Sequence, residues 1–207
     1  MKKRKTIIAA VVLLLVFVVG GAIAYFTDTD SATNTFTIGN VAITLSEPDW
    51  VTTDSNSNGV PDAAENVMPG QEIPKDPTIA VDTGSNPALL FAKVEVPCVG
   101  TTEIFDYDKG EYWVAIQETA CTSGVATKIY ALVSNPTAEA TAQRMTAVSA
   151  GSDSTLFTKA IVNNLTNADV TALQGQNLDL KVYAYGIQAE GFEDKTPSQV
   201  WTAANFA

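Results

Sequence analysis

The chain has 207 residues, with 12 Lys plus Arg against 23 Asp plus Glu, two cysteines, no histidine and a formal charge of −11. Without imidazole there is no Ser/His/Asp or Cys/His triad, no HExxH zinc site and no histidine proton shuttle, so any catalysis would run on carboxylates, Lys, Tyr or hydroxyls. Four of the basic residues stand together at Lys2, Lys3, Arg4 and Lys5, leaving 8 basic against 23 acidic residues in the remainder, a balance that argues against nucleic acid as a partner.

The chain opens with that basic cluster, and an unbroken apolar run from Ile7 to Val19 follows, then Gly20-Gly21 and Ala22-Ile23-Ala24. Charge, apolar stretch and small-residue site read as a secretory signal peptide over 1–24, with Ala22 and Ala24 at the −3 and −1 positions of a cut before Tyr25. The competing reading is an uncleaved anchor, because apolar character continues through Phe26. Either way the expected site of the remainder is extracellular, and membrane contact is confined to this segment. Cleavage leaves 25–207, a length suited to a single domain with an ordinary core.

Past Tyr25, short alternating runs dominate. Val41, Ile43 and Leu45 share one face; so do Leu90, Ala92, Val94 and Val96, and Tyr112, Val114 and Ile116. Further strands are expected at 78–82, 128–133, 156–162 and 178–187, with Pro or Gly between most of the runs. Seven or so strands at that spacing predict an all-β antiparallel sandwich with short helices. Thr166 before Asn167-Ala168-Asp169 and Thr196 before Pro197-Ser198-Gln199 are helix caps, the second strengthened by Pro at the first helical position. A third helix is expected over 136–145, rich in Ala, Glu and Gln. Cys98 and Cys121, an even count in an exported chain, predict a disulfide.

Between the first strand and Pro69 lies Asp54-Ser-Asn56-Ser-Asn58-Gly59-Val60-Pro-Asp62-Ala-Ala-Glu65, which fits D-x-[DN]-x-[DN]-G-x5-E throughout. Ca²⁺ takes six to eight oxygens in flexible geometry. Asp54, Asn56 and Asn58 would supply side-chain oxygens, Gly59 the sharp turn, Val60 its carbonyl, Asp62 a direct or water-borne oxygen and Glu65 a bidentate carboxylate. Pro61 inside the loop and Pro69 after it make this an isolated, loop-ordering site and not a paired helix-loop-helix sensor. Asp106, Asp108 and Glu111 read as an acidic turn between strands, and Glu190, Glu193 and Asp194 as solvated surface. Trp50, Trp113 and Trp201 are too scattered to define a carbohydrate platform and are expected to pack.

The stretch from Ala24 through Leu45, AYFTDTDSATNTFTIGNVAITL, resembles the processing site and mature N-terminus of exported proteins cut by the SipW type of signal peptidase, the TasA/camelysin family. The run from Met68-Pro-Gly-Gln through Asp82-Thr-Gly-Ser-Asn-Pro to Val96, and LDLKVYAYGIQAEGF over 178–192, are similar to that family's middle and end. The resemblance implies a jelly-roll sandwich, secretion, SipW-type processing and self-assembly into biofilm-matrix fibres, in which the N-terminal segment of one subunit adds as a strand to the next. The polar segment 25–38, with sparse apolar anchors at Phe26, Phe36 and Ile38, suits such a donated strand and equally suits the first strand of its own domain. Camelysin relatives are classed as metallopeptidases, but no motif of that activity maps onto these residues and the usual zinc ligand is missing. A monomeric calcium-stabilised surface-binding module is the remaining alternative.

Overall fold

The computed structural model describes residues 40–50, 52–58, 60–176 and 178–206. The chain divides into two units, Met1–Ile38 and Gly39–Ala207, and the described residues belong to the second. The expected signal peptide and the domain boundary after Ala24 lie outside them.

In chain order the strands are β1 (Ile43–Ser46), β2 (Glu72–Pro74), β3 (Thr78–Val81), β4 (Ala88–Val99), β5 (Thr102–Glu103), β6 (Phe105–Lys109), β7 (Trp113–Thr122), β8 (Val125–Leu132), β9 (Ala147–Val148), β10 (Asp153–Thr155), β11 (Phe157–Val162) and β12 (Lys181–Gln188). A 3₁₀ turn at Asp62–Ala64 and two helices, α1 (Asn167–Leu173) and α2 (Pro197–Ala204), complete the set.

One sheet has the order β12-β4-β8-β7, all antiparallel, with β5 and β9 on the ends of β4. The other strands group as β1-β3-β10 and β2-β11-β6. These two groups are halves of one ladder. The pairs Asp153↔Ala80 and Thr155↔Thr78 continue in the same register as Lys159↔Pro74 and Ile161↔Glu72. Leu156 N donates to Pro77 O at 2.9 Å and Lys75 N to Thr158 O at 3.4 Å across the break. Pro74 and Pro77 lack the N–H that an unbroken strand would use, which accounts for the interruption. The second sheet is thus effectively β1, β2/β3, β10/β11, β6.

The core lies between the two sheets. Along β4, Ala88, Leu90, Ala92, Val94 and Val96 point inward and are all fully buried, meeting Ile73, Ile79, Val81, Phe157, Ala160 and Val162 from the opposite sheet. Trp113, 1% exposed, closes one end, with its indole N–H donating to Thr155 O at 3.0 Å. Each such large side chain contributes about 1.5–3 kcal/mol by leaving water. The alternate residues Leu89 and Phe91 form a second, smaller cluster on the outer face with Ala131 and Val200 of α2. Trp201 and Phe206 sit edge-on to Phe91 at 5.2 and 5.8 Å, and Tyr185 joins them. Thr196 caps α2 in a full capping box with Gln199, as Thr166 does for α1 with Asp169.

The all-β sandwich with short helices is as expected, and so are both capped helices. Three local expectations need correction. Residues 136–145 form turns and not a helix: Ala142 and Gln143 N–H both return to Glu139 O, and the Arg144 guanidinium takes the Thr141 and Gln143 carbonyls, so no ladder propagates. Asp106 and Asp108 lie on strand β6 with Tyr107 inward between them, and only Gly110 to Tyr112 turn. The last strand begins at Lys181; Leu178 and Leu180 precede it as core-packed loop.

Candidate functional site

The segment connecting β1 to β2 is pinned at both ends. On entry, Asp49 N–H donates to the buried Asp76 carboxylate at 2.8 Å, while Lys75 pairs with Glu47 at 2.6 Å and lies 5.1 Å over the Trp50 ring. On exit, Val67 packs on the core and Gly70 N–H donates to Val162 O at 2.7 Å. Trp50 also packs on the core, so the intervening polar loop is held from a hydrophobic base.

Within it, side-chain oxygens curl the backbone inward. Asn58 N–H donates to Asp54 Oδ1 at 3.2 Å and to Asn56 Oδ1 at 3.0 Å, and Val60 N–H donates to Asn58 Oδ1 at 2.8 Å. Such side-chain-to-backbone turns are what short Asx residues do best. Ser57 takes the left-handed conformation at φ 59 between them. The amides of Asn56 and Asn58 both donate to Glu65 Oε1, at 2.7 and 2.5 Å, which draws the twelfth loop residue back over the third and fifth.

Asp54, Asn56, Asn58 and Glu65 are therefore brought together, and Val60 is tied to them through its N–H. Asp62 is not. Its carboxylate accepts Ser55 N–H at 2.9 Å and Ser55 Oγ–H at 2.6 Å, and those two bonds hold its pKa below the ordinary carboxylate value. Gly59 lies outside the described residues. Among the described residues no group of three or more His, Cys, Asp or Glu side chains is placed to hold a metal. The donor set is one of hard oxygens, the type Ca²⁺ prefers, but full ligation requires the two amides to turn their oxygens inward and Asp62 to leave Ser55.

Cys98 and Cys121 are joined, with Cα atoms 5.9 Å apart, linking β4 to β7 on either side of the start of β8. The cleavage residues Ala22, Ala24 and Tyr25 and the donor-strand anchors Phe26, Phe36 and Ile38 lie outside the described residues.

Two features were not foreseen. The first is a polar node inside the sandwich. Tyr107 and Tyr130 share a 3.0 Å hydroxyl–hydroxyl bond, and Lys128 pairs with Glu103 at 2.6 Å, 5.6 Å from the Tyr107 ring. Burial, then the neighbouring Tyr130, pushes the Tyr107 hydroxyl far above its usual range; Tyr130 is raised mainly by burial too. Burial opposes the charge on Lys128, but its bond to Glu103 outweighs that and raises its pKa. Tyr107 and Tyr130 stay neutral and Lys128 stays charged at neutral pH, so the node is structural. Its signal was the Lys128-x-Tyr130 spacing, which puts both on one strand face.

The second is an open corner between β1 and β12, the edge strands of opposite sheets. They touch through Gly186, where an added Cβ would lie 2.9 Å from Ile43 Cγ2 and 3.4 Å from Val41 Cγ1. Beside that contact Ile43, Leu45, Val182, Tyr183, Ala184 and Tyr185 line an apolar groove of about 310 Å³. Leu45 and Tyr183 are exposed large apolar residues there. Among the described residues β1 pairs only with β3 and β12 only with β4, so each keeps one free edge.

No curated protein and no solved structure matches the chain. Residues 1–83, which include β1, the polar loop, β2 and β3, match the model of the family described as camelysin metallo-endopeptidase, a match consistent with the TasA/camelysin resemblance of the sequence.

Proposed function

We propose that this is a secreted structural protein, a subunit of extracellular or biofilm-matrix fibres assembled by N-terminal donor-strand addition and stabilised by one Ca²⁺ in the loop 54–65. The observation that supports it best is the apolar corner between β1 and β12, where, among the described residues, each strand keeps one free edge beside a groove able to accept an extended segment. The donated segment is 25–38, which directly precedes the β1 region and carries Phe26, Phe36 and Ile38 as anchors. A SipW-type signal peptidase would expose it by cutting before Tyr25, placing the subunit at the cell surface or in the matrix.

Electron microscopy of the processed protein tests this directly. Fibres are expected from the intact chain and not after deletion of 25–38 or after Phe36→Asp with Ile38→Asp; fibres that persist in both variants would overturn donor-strand assembly. With an acidic surface, polymerisation should strengthen as salt or divalent cation rises. For the metal, Glu65→Gln should weaken a calcium titration, whereas Ser55→Ala should tighten it, because Asp62 then has only the residue 55 backbone N–H to give up. Calcium binding unmoved by Glu65→Gln would remove the loop from the site.

The family description favours a second reading, a metal-dependent endopeptidase. Turnover of casein by protein free of other proteases, lost on metal removal, would establish it; the donor-strand reading expects none.

A further inference from the structure

At the end of the sandwich, remote in sequence from the calcium loop, the β6–β7 turn and β10 enclose a concavity of about 340 Å³. Its size is at the lower end of small-ligand pockets, about 300–1,000 Å³. We propose that it binds a neutral saccharide, with the Tyr112 ring as stacking platform.

Three properties of the pocket select that ligand class. The first is the aromatic. Tyr112 is 52% exposed, yet its backbone is fixed from every side. Gly110 N–H donates to Leu156 O at 2.7 Å, Trp113 N–H to Gly110 O at 3.0 Å and Val133 N–H to Tyr112 O at 2.9 Å. A Cβ on Gly110 would crowd Trp113 Cδ1 at 3.3 Å, so the turn is seated on the buried indole. An exposed ring on a rigid turn loses little entropy when a flat apolar face lies against it.

The second is the polar lining. Glu111, Ser134, Thr146 and Ser154 contribute a carboxylate and three hydroxyls. Ser134 Oγ donates only a long 3.3 Å bond to Arg144 O, and the side chains of Glu111, Thr146 and Ser154 have no hydrogen-bond partner among the described residues. A wholly apolar ligand would strip water from these groups without replacing it, at a cost. A ligand that is apolar on one face and rich in hydroxyls at its edge satisfies both surfaces. The third is charge. No Lys or Arg lines the pocket, Glu111 stands at it and the chain carries −11, so uronates, sulfated sugars and phosphates are repelled.

The Trp113 indole N–H, tied to Thr155 O beneath the pocket, is a built-in reporter. Purified protein labelled with ¹⁵N is titrated with cellotetraose, chitotetraose and mannotetraose, and separately with a tetragalacturonate. At least one neutral sugar is expected to move the Trp113 indole resonance saturably while those of Trp50 and Trp201 stay in place. Tyr112→Phe should retain that affinity, and Tyr112→Ala should weaken it about tenfold, the loss of one aromatic stacking partner. Val170→Ala, an exposed apolar residue on α1, should change nothing. No saturable shift with any neutral sugar, equal affinity in Tyr112→Ala, or tighter binding of tetragalacturonate would each overturn the proposal. If Tyr112→Ala fails to fold, Ser154→Glu, which adds a charge to the lining and keeps the ring, should abolish the neutral-sugar shift; a shift that survives in it would likewise refute the site.

Discussion

Replacing Gly186 by alanine tests how the two sheets meet. Ala normally stabilises at a compatible strand position by about 0.4–1 kcal/mol, through a less flexible unfolded chain. Here the new methyl would sit 2.9 Å from Ile43 Cγ2, roughly 0.6 Å inside a normal carbon–carbon contact of about 3.5 Å. Cγ2 belongs to a β-branched side chain with little rotamer freedom, and Val41 Cγ1, also β-branched, stands at 3.4 Å, so neither neighbour gives way cheaply. Overpacking of this kind costs about 1–3 kcal/mol, which outweighs the entropic gain. Gly186→Ala should therefore lower the urea midpoint without changing the slope, and lower the melting temperature by about 2–4 °C for each kcal/mol lost. In an Ile43→Ala background the clash disappears, and the same substitution should become neutral or stabilising. A double-mutant cycle between the two sites reads this difference as coupling. Stabilisation by Gly186→Ala in the otherwise unaltered chain, or an equal cost in both backgrounds, would refute the close approach of β1 to β12.

Reducing the Cys98–Cys121 bridge, which spans 23 positions, should cost about 3 kcal/mol in the chain-entropy account; a urea midpoint unmoved by dithiothreitol would contradict it. At high pH the polar node should fail first. Tyr107, Tyr130 and Lys128 of the node, and Lys93, which pairs with Glu95 on β4, all have folded pKa values above their unfolded ones, so the stability they lend is complete below about pH 10 and declines as pH rises further. Tyr107→Phe should flatten that alkaline decline in denaturant titrations, at a cost of about 1 kcal/mol at neutral pH from the lost hydroxyl pair. At the other extreme Asp169, held low by its bonds to Thr166, contributes above the ordinary carboxylate range and ceases to as pH falls through its folded value; Asp169→Asn should shallow the acid limb. Thr196→Ala should cost about 1 kcal/mol through the lost cap and loosen α2 from Phe91, visible as faster amide exchange in that helix.

The long strands were legible because alternation is physical: β4 buries Leu90, Ala92, Val94 and Val96 on one face, and the run announces it. The four shortest strands, β2, β5, β9 and β10, hold two or three residues each, too few for any period to show. Strand β6 does alternate, Phe105 and Tyr107 in and Asp106 and Asp108 out, but two aspartates beside Gly110 carry the composition of a turn. The segment 136–145 had helix-forming composition, and tertiary ties from Ser134 and Val133 to Arg144 and Met145 overrode it. In the polar loop the donor spacing was plain, whereas the capture of Asp62 by Ser55 was not, because a hydroxyl seven residues away becomes a neighbour only once the loop has curled.

The position of β4 also bears on when this chain can fold. It is flanked by β8, some 30 residues on, and by β12, about 90 residues on, and its outer aromatic Phe91 packs edge-on against Trp201 and Phe206, more than 100 positions away. Loop-closure entropy must be met before any of those distant pairings gives its return. A half-made chain emerging from a ribosome would hold a strand with bare edges and a bare aromatic face. The architecture therefore favours delaying collapse until the segment carrying Trp201 and Phe206 has been made, so the chain stays open through most of its synthesis and closes late, around β4.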